Sequence, residues 1–147
     1  MTKIPVGKIL LSVLCVFLML GAFAADYNAT HLLNPNWTGH AKFHGSMTMA
    51  LGVVSALMAL GILWLPVFAL DAKDRITLGA AISSIYWICM VAASFFPGVS
   101  LGDPKPDGTI PFANGGMNQI NMSLVVLAVT LCIVLVERYR AARRTAA

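Results

Sequence analysis

Four long apolar segments punctuate this chain, and they leave few folds open to it. They run from about Ile4 to Ala25, Gly45 to Leu70, Ile76 to Pro97 and Met117 to Val136. Each holds roughly 20 or more mostly apolar residues, enough at about 1.5 Å per residue to cross a hydrocarbon layer about 30 Å thick. Only helices and closed barrels satisfy their backbone groups in lipid. Continuous apolar runs, without ten-residue alternation, choose helices. Composition agrees: 11% of the residues are charged, where a soluble domain carries about 25%. Mean hydropathy is +0.81. The expected fold class is all-α integral membrane, a single domain over residues 1–147.

The charges orient the bundle. Lys3, Lys8, Lys73, Arg75, Arg138, Arg140, Arg143 and Arg144 fall on one side, and Lys42 and Lys105 on the other. By the positive-inside rule both termini and the turn at 71–75 are cytoplasmic, and the loops at 26–44 and 98–116 face outward. Short connections then give four antiparallel helices, an up-down-up-down bundle with N-in/C-in topology. The expected setting is a bacterial inner (plasma) membrane with the 26–44 loop on the outer side. The net charge of +4 does not point to nucleic acid, because the basic residues sit at helix ends and are not interleaved with aromatics on one face.

One alternative concerns the N-terminus. Lys3, Lys8, an apolar run and Ala22-Phe23-Ala24 also resemble a cleavable signal peptide. The run is long for a signal core, so it is read as a span. Cys15, Cys89 and Cys132 each fall inside an apolar segment with no CxxC among them, and read as small buried hydrophobes. Gly52 with Ala56, Ser55 with Ala59, Gly79 with Ser83 and Ala80 with Ser84 repeat small residues at four-residue spacing. Such faces let helix backbones approach closely in lipid.

All three histidines, His31, His40 and His44, lie in the polar stretch 26–44 with Asp26, Asn28, Thr30, Asn34, Asn36 and Trp37. Titratable groups at one end of a membrane bundle are costly and mark a site. Thr48 and Ser46 follow on the second span, Ser94 ends the third, and Asn114, Asn118, Gln119 and Asn121 open the fourth. Asn114, Asn118 and Asn121 share one face if that helix starts early enough. The inner halves are nearly bare, apart from Ser83, Ser84, Tyr86 and Thr130, which can bond locally. This asymmetry argues for a pocket opening outward or into the outer leaflet over plain interfacial decoration, which favours Trp, Tyr, Lys and Arg.

Three chemistries fit. His40 and His44 are i, i+4, so two imidazoles share a face if the second helix begins near Gly39; His31 or Asp26 would add a metal ligand. HEXXH is absent, since positions 41–43 are Ala-Lys-Phe. Met47 and Met49 after His44 would suit a soft copper(I) site, although Met in a span is more often packing. Alternatively, a histidine oriented by Asp26 is a metal-independent acid–base group acting on a lipophilic substrate, in an isomerase, cyclase or hydrolase. The bland reading has His and Asn capping helices, Asn34-Pro35 forming a turn and Trp37 anchoring at the interface.

The loop at 98–116 is rich in Gly, Pro and Asp and reads as irregular, long enough to cover the histidine segment as a lid. Asp103 and Asp107 read as solvated turn residues. Two glycosylation sequons, at Asn28 and Asn36, matter only in a eukaryotic secretory setting and are discounted.

The stretch Asp26-Tyr27-Asn28-x-Thr30-His31-x-x-Asn34-Pro35-x-Trp37-x-x-His40-Ala41-Lys42-Phe43-His44 resembles a pattern in a family of small four-helix membrane proteins of uncharacterised activity. The resemblance implies the fold and makes this loop the distinguishing feature. It transfers no reaction. The chain does not look like the four-helix sterol isomerases, whose acidic residues inside the spans have no counterpart here.

The expectation is thus a small polytopic membrane protein whose outward His/Asp/Asn pocket binds a metal ion (a divalent metal or copper) or the polar end of a lipophilic substrate. His31, His40, His44 and Asp26 are its candidate catalytic residues, with the three histidines as candidate metal ligands. Asn34, Trp37, Asn118 and Asn121 are its candidate substrate contacts. A different class stays open: a non-catalytic accessory subunit, its small-residue faces packed on a larger membrane complex with the loop as docking surface. The expected partners are the lipid bilayer, a lipophilic small molecule, and a homo-oligomer or larger membrane complex.

Overall fold

The computed structural model describes residues 5–66, 69–102 and 118–145. Its elements are α1 (Val6–Asp26), α2 (Gly39–Trp64), α3 (Ala72–Ala93) and α4 (Gln119–Thr145), with no strand among the described residues. All four are long and apolar enough to cross a membrane. The 21 residues of α1 span about 32 Å, close to one hydrocarbon thickness.

The helix ends have local causes. The Thr38 hydroxyl accepts the Ala41 N–H at 3.2 Å, a side-chain cap that starts α2 six residues before the apolar run begins. Leu65 is extended, with φ −84° and ψ 137°, as expected of a residue preceding a proline, so α2 stops at Trp64. Asp71 caps α3 by accepting the Asp74 N–H at 2.9 Å. Helix α4 runs on past Val136 through the basic segment to Thr145.

Helix α1 packs along α2, α2 along α3 and α3 along α4; α1 meets α3 and α4 less, and among the described residues the α2 and α4 backbones do not come into close approach. Small residues set the closest approaches. A β-carbon built on Gly52 would lie 3.3 Å from Ala22 Cβ and 3.5 Å from the Tyr86 ring. One on Gly79 would lie 3.0 Å from Leu63 Cγ. Of the eight paired small residues noted above, all but Ser84 are buried inside this one chain. Those faces are used in packing the helices of this chain against one another.

Two apolar clusters make the core. Cys15, Leu18, Ala22, Ala56, Ala59, Tyr86, Trp87 and Val126 form one; Leu11, Leu63, Ile76, Ala80 and Ile133 form the other. Cys15 is buried as expected, whereas Cys89 and Cys132 are exposed. Large apolar side chains also cover the outside, Val13, Leu20, Leu57 and Leu131 among them. A soluble monomer rarely shows so continuous an apolar exterior.

Polar residues divide between the two ends. At one, Lys8 lies 3.9 Å over the Trp64 ring and Trp64 donates to Ser12 at 2.9 Å. Nearby, Arg75 donates to the carbonyls of Ile62, Leu65 and Leu70, closing the end of α2 onto α3. The other end carries the 27–38 loop and the histidines.

Candidate functional site

The loop is folded by its own side chains. Asn28 donates to the Ala25 carbonyl at 2.6 Å, while its Oδ1 accepts both the N–H and the hydroxyl of Thr30, at 2.9 and 2.6 Å. This is the Asx-turn habit, in which a short amide competes for nearby backbone groups. Asn34 repeats it, accepting the Asn36 N–H at 2.9 Å and donating to the Thr30 carbonyl at 3.3 Å. Asn34 is therefore engaged in shaping the loop.

His31 is half-buried in this network. Its Nδ1 lies 2.8 Å from the Thr30 hydroxyl. The hydroxyl's shorter contact is with Asn28 Oδ1, which only accepts. Placing the Thr30 proton there makes His31 Nδ1 the donor and leaves Nε2 as a lone-pair base. The ring also meets Trp37 edge-on, centroids 5.4 Å apart. Trp37 in turn lies over Gly45 of α2, its Cζ3 3.5 Å from the place a β-carbon would take. The indole thus fastens the loop, and His31 with it, to the side of α2.

Asp26 ends α1, where the helix dipole disfavours a negative charge. Its Oδ2 is 3.5 Å from the Thr48 hydroxyl, whose better acceptor is the Gly45 carbonyl at 2.7 Å. Among the described residues no ion pair involves Asp26. His31 is near enough to act on it electrostatically.

His40 and His44 form a separate group. Their Nε2 atoms are 3.1 Å apart and their rings nearly perpendicular, with centroids at 4.5 Å. Both side chains are exposed. Phe43 meets His44 edge-on at 5.6 Å. Helix α2 does begin at Gly39, which is what puts the two imidazoles on one face.

The three histidines do not form one cluster. Among the described residues no three His, Cys, Asp or Glu groups are placed to hold a metal together. The physical reason is the Asn28 turn, which holds His31 against Thr30 and Trp37. The expected amide stripe on the fourth helix also fails. That helix starts at Gln119, so Asn118 precedes it and caps it, accepting the N–H groups of Ile120 and Asn121 at 3.0 and 2.9 Å. Asn121 is exposed. Asn114, Asp103, Asp107 and the body of the proposed lid lie outside the described residues.

A groove of about 350 Å³ runs between α1 and α4, lined by Val6, Leu10, Val129, Ile133 and Glu137, toward the basic end. Two site-building residues leave no mark in the spacing. Gly45 matters only because Trp37 folds back on it, and Asn28 because the loop turns around its amide.

No curated protein and no solved structure matches the chain. A family model described as "Family of unknown function (DUF6640)" matches residues 10–144. The chain, a bundle of four membrane-length helices with its histidines at one end, belongs to that family.

Proposed function

We propose that this is an integral membrane protein of the bacterial inner membrane, antiparallel and N-in/C-in, in which His40 and His44 hold one transition-metal ion on the outer side. The carrying observation is the 3.1 Å separation of the two Nε2 atoms. Two imidazole nitrogens about 2.0–2.1 Å from a common ion sit about 2.8 Å apart in a square plane and about 3.3 Å apart in a tetrahedron. The pair falls within that range before any ion is added. Two protein ligands leave coordination positions for water or for the polar end of a lipophilic substrate. The orientation rests on the basic bias toward the opposite end.

Protein purified in detergent without chelators and titrated with Zn²⁺ and Cu²⁺ should take up one equivalent, the copper more tightly. His40→Ala and His44→Ala should each lose it, whereas His31→Ala should keep it. Absence of stoichiometric metal, or full binding by the His40→Ala/His44→Ala double variant, overturns the proposal.

A second reading is a metal-independent acid–base pair of Asp26 and His31. The weakly bonded Asp26 carboxylate beside an imidazole with an available Nε2 favours it. A deletion strain complemented with Asp26→Asn or His31→Ala separates the readings. Full complementation by both leaves the metal pair alone; failure of either with metal content unchanged supports acid–base chemistry.

A further inference from the structure

We propose that Met47 is the third protein ligand of this site and makes it selective for copper(I), an inference that rests on the His40–His44 reading. Helical geometry places Met47 within about 20° of His40 and about 60° of His44 around the α2 axis. Side chains on a helix lean toward its N-terminus, the direction in which His44 lies one turn before Met47. Met47 is 50% exposed and belongs to neither core cluster. Met49, two residues on, is 4% exposed and faces the bundle interior. Of the two methionines following the histidines, only Met47 lies on the exposed face of α2 that carries them.

Three rotatable bonds let the thioether reach an ion that the imidazoles have already placed. Two nitrogens and one soft sulfur form a three-coordinate set that suits copper(I), whereas zinc takes four ligands drawn from thiolate, imidazole and carboxylate. The half-exposed Met47 and the exposed His40 and His44 also leave the ion accessible from one side. The ligand class is therefore a monovalent soft metal ion, delivered at the outer surface.

The test uses the full chain in detergent with Cys89→Ser and Cys132→Ser introduced, because these exposed thiols would bind copper themselves. Copper(I) is held reduced with ascorbate and competed against bicinchoninate, and Zn²⁺ is titrated separately. Met47→Leu keeps the apolar volume and removes the sulfur. It should weaken copper(I) by at least about tenfold, since loss of even an outer-shell partner costs about that much in other metal sites, while Zn²⁺ binding and thermal stability stay unchanged. Copper X-ray absorption should show sulfur scattering that Met47→Leu removes and Met49→Leu preserves. If Met47→Leu leaves copper(I) affinity and scattering unchanged while His44→Ala loses metal, Met47 is not a ligand and the histidine pair stands. If the parent binds neither ion, both proposals fall.

Discussion

The Glu137 carboxylate of α4 accepts the backbone N–H of Gly7, in the first turn of α1, at 3.1 Å. The first N–H groups of a helix have no partner within it, and an anion there is stabilised by the helix dipole. Arg140 donates to the same carboxylate oxygen at 3.0 Å, and the Glu137 side chain is only 11% exposed. The approach requires a residue without a side chain, since a β-carbon on Gly7 would lie 2.5 Å from Glu137 Cγ.

Glu137→Ala should therefore destabilise the bundle by about 1–3 kcal/mol, the range for a hydrogen bond to a charged group. Gly7→Ala should also destabilise, by displacing the same carboxylate. Combined, the two should cost less than their sum, because both remove one interaction. Thermal unfolding in detergent reads this directly, and strict additivity would refute the shared cause.

Gly52 and Gly21 offer a paired test of the core. A β-carbon at Gly52 meets Ala22, Leu18 and Tyr86, whereas one at Gly21 meets nothing within 4 Å. Gly52→Leu should cost at least about 1–3 kcal/mol through overpacking, and Gly21→Leu should be tolerated. Equal melting temperatures for the two variants would contradict the α1–α2 seam described here.

The α3 cap carries a pH dependence. The Asp74 N–H donates to Asp71 Oδ1 at 2.9 Å and Lys73 Nζ lies 3.3 Å from Oδ2. The backbone hydrogen bond first, and Lys73 after it, hold the Asp71 carboxyl below the usual aspartate range. A lowered folded-state pKa contributes stability that is present in full above the ordinary value of about 3.9 and is lost as pH falls through the folded value. Asp71→Asn retains a capping oxygen but has no charge to titrate. Its melting temperature should fall less steeply on acidification below about pH 4 than that of the parent; identical acid slopes would refute the assignment.

The four helices were legible because length and hydropathy set them without reference to tertiary contacts. Local hydrogen bonding decided what hydropathy could not see. Thr38 draws α2 back to Gly39, which the apolar run beginning near Gly45 does not show, and this makes His40 and His44 neighbours. Asn118 looked like a pocket amide yet caps α4, since nothing in its spacing distinguishes a helix start from a helix face. The three histidines read as one cluster because they share nineteen residues of chain. The Asn28 and Asn34 turns separate His31 from the other two, and an Asx turn is visible in sequence only as a tendency.

Orientation is the remaining expectation with a sharp readout. Lys8, Lys73, Arg75 and Arg138 sit at one end of the bundle, while Asn36 and the histidines sit at the other. Basic residues are retained on the cytoplasmic side. Asn36 and Ala72 are both exposed, so a cysteine at either should leave the fold intact. In a background with the native cysteines replaced by serine, a membrane-impermeant maleimide added to intact cells should label Asn36→Cys and not Ala72→Cys. Permeabilised cells should show labelling of both. The reverse pattern would put the histidine loop in the cytoplasm, and a metal bound there would have to come from the intracellular pool.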